Sequence, residues 1–133
     1  MIVCLDSNIL IYSVEGDPVW EPKVDARVTG ILAAGDTLAA SDAARLECLV
    51  GPLRSANAAV QADYEKFFGS SGIQMLPVTA AIWERAAEIR AVYSFQAHDS
   101  IHLASAIEHG CGLFLTNDGS LARCTAIRVE VLT

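Results

Sequence analysis

The chain has 133 residues, 53% of them hydrophobic, which predicts a single domain over residues 1–133 with one core. Sixteen acids against nine bases leave a net charge of −7. That is not the electrostatic footprint of a non-specific nucleic-acid binder, but it does not exclude a nuclease, because divalent cations neutralise clustered acids. No apolar stretch approaches the roughly 20 residues needed to span a bilayer. The N-terminus enters a strand-like run directly, without a basic segment or cleavage signal, so a soluble, cytoplasmic protein is expected. Cys4, Cys48, Cys111 and Cys124 have no zinc-binding spacing and read as reduced core residues.

Short apolar runs alternate with amphipathic helices. This pattern predicts an α/β domain of three α/β/α layers around a mainly parallel sheet. A first strand over about residues 1–6 leads into a brief helix near Asn8–Val14 and a loop at Gly16–Pro22. The next helix carries Val24, Val28, Ile31 and Leu32 on one face, with Gly35 as its C-terminal cap. Residues Thr37–Ala40 form a short buried strand. Ser41 then caps a helix with Asp42 in its first turn and Leu46, Leu49, Val50 and Leu53 as its core stripe, bent or ended early by Gly51-Pro52. A partner helix from about Asn57 to Phe68 completes a helical hairpin.

Residues Ile73–Val78 read as a strand. Thr79 caps a helix with Ile82, Ala86, Ile89 and Tyr93 on one side. A helix from Asp99 to His109 stops at Gly110, and strands follow at Gly112–Thr116 and Arg128–Leu132.

Four acids fall at junctions of this pattern. Asp6 ends the first strand, Glu47 lies two turns into a helix beside apolar residues, Asp99 opens a helix, and Asp118 follows a strand. Parallel α/β sheets bind ligands outside the carboxyl ends of their strands, where all four could meet. Buried acids need a partner, a proton or a metal. Several hard oxygen ligands without a His or Cys set suit Mg²⁺ or Mn²⁺. Taken singly, each acid has a plainer reading: Asp6 and Asp99 as helix caps, Asp118 as a turn residue in Asn117-Asp118-Gly119, and Glu47 at a solvated edge.

Four blocks carry a resemblance: Leu5-Asp6-Ser7-Asn8-Ile9-Leu10; Ser41 with Arg45-Leu46-Glu47-Cys48; His98-Asp99-Ser100-Ile101-His102-Leu103-Ala104-Ser105-Ala106; and Leu113-Phe114-Leu115-Thr116-Asn117-Asp118. In order and spacing they resemble the PIN-domain nucleases, and among them the VapC-type toxins of toxin–antitoxin pairs. The resemblance implies a PIN fold and a Mg²⁺- or Mn²⁺-dependent endoribonuclease. It implies that Asp6, Glu47, Asp99 and Asp118 are catalytic and metal-binding, with Asp6 and Asp99 the principal ligands. It further implies a homodimer silenced by an antitoxin peptide in the active-site groove.

Ser7, Asn8, Thr116 and Asn117 match the same motifs and are expected to orient carboxylates or bound water; the plainer reading is turn capping for Ser7, Asn8 and Asn117 and a β-former at a strand end for Thr116. His102, one turn after Asp99, reads as a packed or surface histidine before a substrate contact; His98 and His109 have weaker claims. Arg45 and Arg54 read as a solvated helix face before RNA contacts, and the mixed charges Glu84, Arg85, Glu88 and Arg90 read as the exposed face of their helix. Trp20 is a better stacking candidate than Trp83, although packing is the commoner use of either. A non-catalytic RNA- or protein-binding module is the main alternative, disfavoured because all four acids are present. A haloacid-dehalogenase-type phosphatase fits poorly, since Asn8 stands where a second Asp is needed.

Overall fold

The computed structural model describes residues 1–133. In chain order its elements are β1 (Ile2–Leu5), α1 (Ser7–Glu15), α2 (Glu21–Ala33), β2 (Thr37–Ser41), α3 (Ala43–Arg54), α4 (Ala58–Phe68), β3 (Gln74–Leu76), α5 (Ala80–Tyr93), α6 (Ala97–Glu108), β4 (Leu113–Thr116), a 3-10 turn (Gly119–Arg123) and β5 (Val129–Val131). The sheet order is β3-β2-β1-β4-β5, and every pairing is parallel. β1 and β4 are therefore neighbours near the sheet centre although more than a hundred residues separate them.

The period of two along each strand divides the core. Val3, Leu5, Ala40, Leu113 and Leu115 face one side, where they pack with residues of α1 to α4 such as Ile9, Val24, Cys48 and Tyr64. Cys4, Ala39 and Phe114 face the other, against Ile82 and Ile89 of α5 and Leu103 and Ala106 of α6. These are the three layers that the alternating pattern implies. All four cysteines are buried and unpaired by disulfides, as expected of small core residues.

Two expectations for α3 need correction. Its buried stripe is Ala44, Cys48 and Pro52, at spacings of four, whereas Leu46 and Leu53 are 75% and 58% exposed. Val50 is also exposed, and only Leu49 leans on the core. Small side chains face inward because they let the helix approach the sheet. Hydropathy alone selects the adjoining face. Nor does Gly51-Pro52 end the helix early: it runs to Arg54, and the Pro52 carbonyl accepts the Asn57 N–H at 2.8 Å.

Smaller shifts occur at element ends. The helix expected to open at Asp99 begins at Ala97, leaving Asp99 in its first turn. β3 covers only Gln74–Leu76 of the expected Ile73–Val78. Thr79 caps α5 as expected, accepting the Ile82 N–H at 3.4 Å.

Candidate active site

Because β1 and β4 run parallel side by side, their carboxyl ends deliver Asp6 and the Thr116–Asp118 segment to one edge. The ladder continues to Asp6, whose N–H donates to the Leu115 carbonyl at 2.9 Å. Asp6 is only 4% exposed. Its Oδ1 accepts the Ser7 N–H at 2.8 Å at the start of α1, and its Oδ2 accepts the Thr116 hydroxyl at 2.7 Å. Both oxygens thus have fixed directions.

The Thr116 Oγ1 also accepts the Asp118 N–H at 3.0 Å. Asp118 caps the 3-10 turn through Oδ1, which accepts the N–H and hydroxyl of Ser120 at 2.9 and 2.7 Å. The turn-capping reading of Asp118 is therefore correct for one oxygen.

Asp99 projects from the first turn of α6 into the same place. A polar cleft of about 260 Å³ is lined by Asp6, Asp99 and Asp118, together with Asn8, His98 and Arg123. The carboxyl of Asp99 is held above its ordinary range, first by burial and then by the negative charges of Asp6 and Asp118, against opposing pulls from His98 and His102. Asp99 thus feels the other two acids across this cleft.

Glu47 stands one step away. It lines an adjoining groove, with His98 between the two depressions. His98 Nε2 lies 3.3 Å from Asp99 Oδ1 and 4.0 Å from Glu47 Oε2. The Glu47 Oε1 is hydrogen-bonded to His102 Nε2, which also lies 2.9 Å from the Ser7 hydroxyl. Burial alone would raise the Glu47 carboxyl. The His102 hydrogen bond and the charges of His102 and His98 hold it below its usual value.

His102 is fully buried, packed rather than placed at a rim. Burial opposes its protonation, but its hydrogen bond to Glu47 and the charges of Asp6, Glu47 and Asp99 raise its pKa. Its Nδ1 has no hydrogen-bond partner.

Residues 3–126 match the family model of the PIN domain. The chain belongs to the PIN domain family. No relative is found among curated protein sequences. Among solved structures, this PIN domain shares its fold with VapBC2 from Rickettsia felis, at a TM-score of 0.82 and 19% identity, with 100% of each chain covered. It is similarly related to VapBC-1 from nontypeable Haemophilus influenzae, with a TM-score of 0.77, 19% identity and 99% and 98% of the two chains covered. For VapC20 of Mycobacterium tuberculosis, a toxin that cleaves the sarcin-ricin loop, the TM-score is 0.74 at 15% identity, covering 95% of this chain and 98% of that one.

The remaining motif residues of the PIN domain divide by use. Ser7 gives its backbone N–H to Asp6 while its hydroxyl bonds to His102, and the Thr116 hydroxyl donates to Asp6. Asn117 instead accepts from Asn8 at 3.4 Å and donates to the Tyr12 hydroxyl at 2.7 Å. Trp20 stacks on Tyr12 with ring centroids 5.4 Å apart, so it packs internally. Arg45 pairs with Asp42 at 2.8 Å. Arg85 bridges α5 to α6 through Glu108 at 2.9 Å, and His109 Nε2 lies 3.0 Å from the Pro77 carbonyl.

Two features escape the sequence motifs. Arg123 lines the acidic cleft, a placement set by the 3-10 turn after Asp118. Trp83, 56% exposed, joins Leu46, Val78 and Ile101 around the adjoining apolar groove of about 500 Å³.

The donor set suits a hard cation. The cleft offers carboxylate oxygens on a polar wall, which is what Mg²⁺ or Mn²⁺ takes while keeping several waters. No three His, Cys, Asp or Glu side chains stand together as a ready coordination group, so the chain supplies an acidic cleft rather than a closed cage.

Proposed function

We propose that this PIN domain is a Mg²⁺- or Mn²⁺-dependent endoribonuclease acting as the toxin of a toxin–antitoxin pair. The observation that carries the reading is the meeting of Asp6, Asp99 and Asp118 around one polar cleft at the carboxyl edge of β1 and β4. Family membership supports it, and so does a fold shared with the VapC20 toxin of Mycobacterium tuberculosis and with VapBC proteins of two other bacteria.

In this reading Asp6, Asp99 and Asp118 hold the cation, and Glu47 serves it from the edge through water or after a side-chain rotation. A bound Mg²⁺ or Mn²⁺ supplies Lewis-acid polarisation of a phosphoryl oxygen and lowers the pKa of nearby water. Asp6, clamped by Ser7 and Thr116, provides a fixed anchor. Asp99 carries the repulsion that a cation relieves. In this reading Glu47, kept ionised by His102, accepts a proton from water attacking the phosphodiester once it reaches across from the adjoining groove.

The partners follow from the same reading: RNA as substrate, an antitoxin protein as inhibitor, and a second copy of the chain. The expected compartment is the cytoplasm. No helix is long and apolar enough to cross a membrane.

The test is cleavage of labelled RNA with Mn²⁺, comparing wild type with Asp99→Asn. Wild type should cleave and Asp99→Asn should lose at least about 100-fold, as expected for removal of a principal metal-binding group. Removing Asp99 also relieves like-charge repulsion, so the metal-free variant should melt at the same or a higher temperature. Mn²⁺ should raise the wild-type melting temperature more than that of the variant. Undiminished cleavage by Asp99→Asn ends the assignment.

The alternative, a non-catalytic binding module, draws on the tie that holds Glu47 to His102 and away from the other three acids. Calorimetry separates the two readings. A module shows no Mn²⁺ binding, or binding that Asp6→Asn leaves unchanged.

A further inference from the structure

Arg123 is a cation on the wall of an acidic cleft, and no carboxylate answers it. Its Nε donates to the Ser120 carbonyl at 3.3 Å, and an Nη donates to the Tyr93 carbonyl at 3.0 Å. Its guanidinium carbon lies 4.8 Å from the ring centroid of Phe95, a buried residue stacked on Tyr93. These contacts occupy two of five N–H donors, and both acceptors are neutral. The charge and three donors remain available.

Arg27, Arg45 and Arg85 each sit on a carboxylate. Lack of a carboxylate partner alone does not single Arg123 out, since Arg90 likewise donates to a neutral carbonyl, that of Phe95 at 2.9 Å; its place in the cleft does. Arg123 is the one Lys or Arg among the residues lining the cleft with Asp6, Asp99 and Asp118. An arginine beside three acids would ordinarily swing onto one of them. Here the aromatic ring and two carbonyls engage it instead, on a cleft lining that also includes uncharged Ser94, Gln96 and Ser120.

A chain of charge −7 that binds a polyanion needs a local cation, and a guanidinium fork matches a phosphate bidentately. We propose that Arg123 is a substrate-binding residue that grips a backbone phosphate of the RNA strand beside the one being cleaved. The proposal rests on the nuclease reading above and deepens it, since it assigns a strand contact that the four acids do not provide.

Three forms of the full chain decide it: wild type, Arg123→Gln and Arg123→Lys. Gln removes the charge and keeps an N–H donor for the backbone carbonyls. Lys keeps the charge and loses the fork. Each is assayed for cleavage of a fluorescent single-stranded RNA with Mn²⁺. Each is also assayed for RNA affinity by anisotropy across a salt series, in an Asp99→Asn background that prevents turnover.

Arg123→Gln should raise KM about 10-fold, the loss falling on KM more than on kcat, as for one charged hydrogen-bonded contact. The slope of log affinity against log salt should fall by about 0.7, the value for one phosphate on a single strand. Arg123→Lys should recover part of the KM and most of the slope. A folded Arg123→Gln protein, by its circular dichroism melt, with unchanged KM and unchanged slope overturns the proposal while leaving the nuclease reading intact. If wild type binds RNA without cleaving it, the nuclease reading fails and the slope of Arg123→Gln still decides the contact. If wild type neither cleaves nor binds RNA, both fall.

Discussion

The Thr116 hydroxyl donates to Asp6 Oδ2 at 2.7 Å across the ends of two adjacent parallel strands, and both residues are buried. The same oxygen accepts the Asp118 N–H at 3.0 Å. One hydroxyl thus orients one acid and the turn that carries another. Thr116→Val keeps the shape and the strand preference but removes both bonds. It should lower stability by about 2 kcal/mol in urea denaturation, because a buried carboxylate loses a donor. Thr116→Ser should stay within about 1 kcal/mol of wild type. If the Val variant is as stable as wild type, this hydroxyl does not support Asp6.

His102 joins α6 to Glu47 of α3 and to Ser7 of α1. His102→Leu leaves the half-buried Glu47 with fewer donors. In the metal-binding reading, Mn²⁺ affinity measured by calorimetry should weaken about 10- to 100-fold, as for loss of an outer-shell partner. His102→Gln, which can still donate to Glu47, should recover part of that loss. Equal Mn²⁺ affinity in the Leu variant and wild type would show that the tie does not orient Glu47 for a cation.

The groove lined by Leu46, Val78, Trp83 and Ile101 exposes a contiguous apolar surface beside the acidic cleft. If a second copy covers it, sedimentation equilibrium should give a dimer for wild type and a monomer for Trp83→Glu. The variant should keep its melting profile at low concentration, since Trp83 is mostly exposed and contributes little to the core. A wild-type protein that stays monomeric at high concentration rules out the homodimer.

Away from the site, Arg27 meets both oxygens of Glu130, one of them at 3.0 Å. The hydrogen bond from Arg27 lowers the Glu130 carboxyl below its ordinary value, with burial opposing and further help from the charges of Arg27 and Arg128. A depressed folded-state pKa places the stability gain above the unfolded value, near pH 4.3, and loses it as pH falls through the lower folded value. The pair is partly exposed, so the gain is at most about 1 kcal/mol. Glu130→Gln should reduce stability at pH 7 and match wild type at pH 2 in thermal melts. An unchanged difference across that range would show that the pair adds nothing through ionisation.

Most of the element order was readable from local pattern. Short apolar runs, cap residues such as Thr79, and helical spacing in the Ile82–Tyr93 segment depend on neighbours a few positions away, and the structure repeats them. The α3 stripe was misread because hydropathy marks which residues tolerate burial, not which face a neighbouring layer will cover. Ala44 and Cys48 went inside because they are small.

The sequence by itself determined an alternating α/β chain with acids at the ends of its core elements, because period and capping are local properties of the chain. Only the tertiary structure decided that Asp6, Asp99 and Asp118 share one cleft, that Glu47 leans on a buried histidine beside it, and that Arg123 lines it without a carboxylate partner. Those relations join residues up to more than a hundred positions apart. They follow from the β1–β4 pairing and from the packing of α6 against the sheet, which no local pattern records.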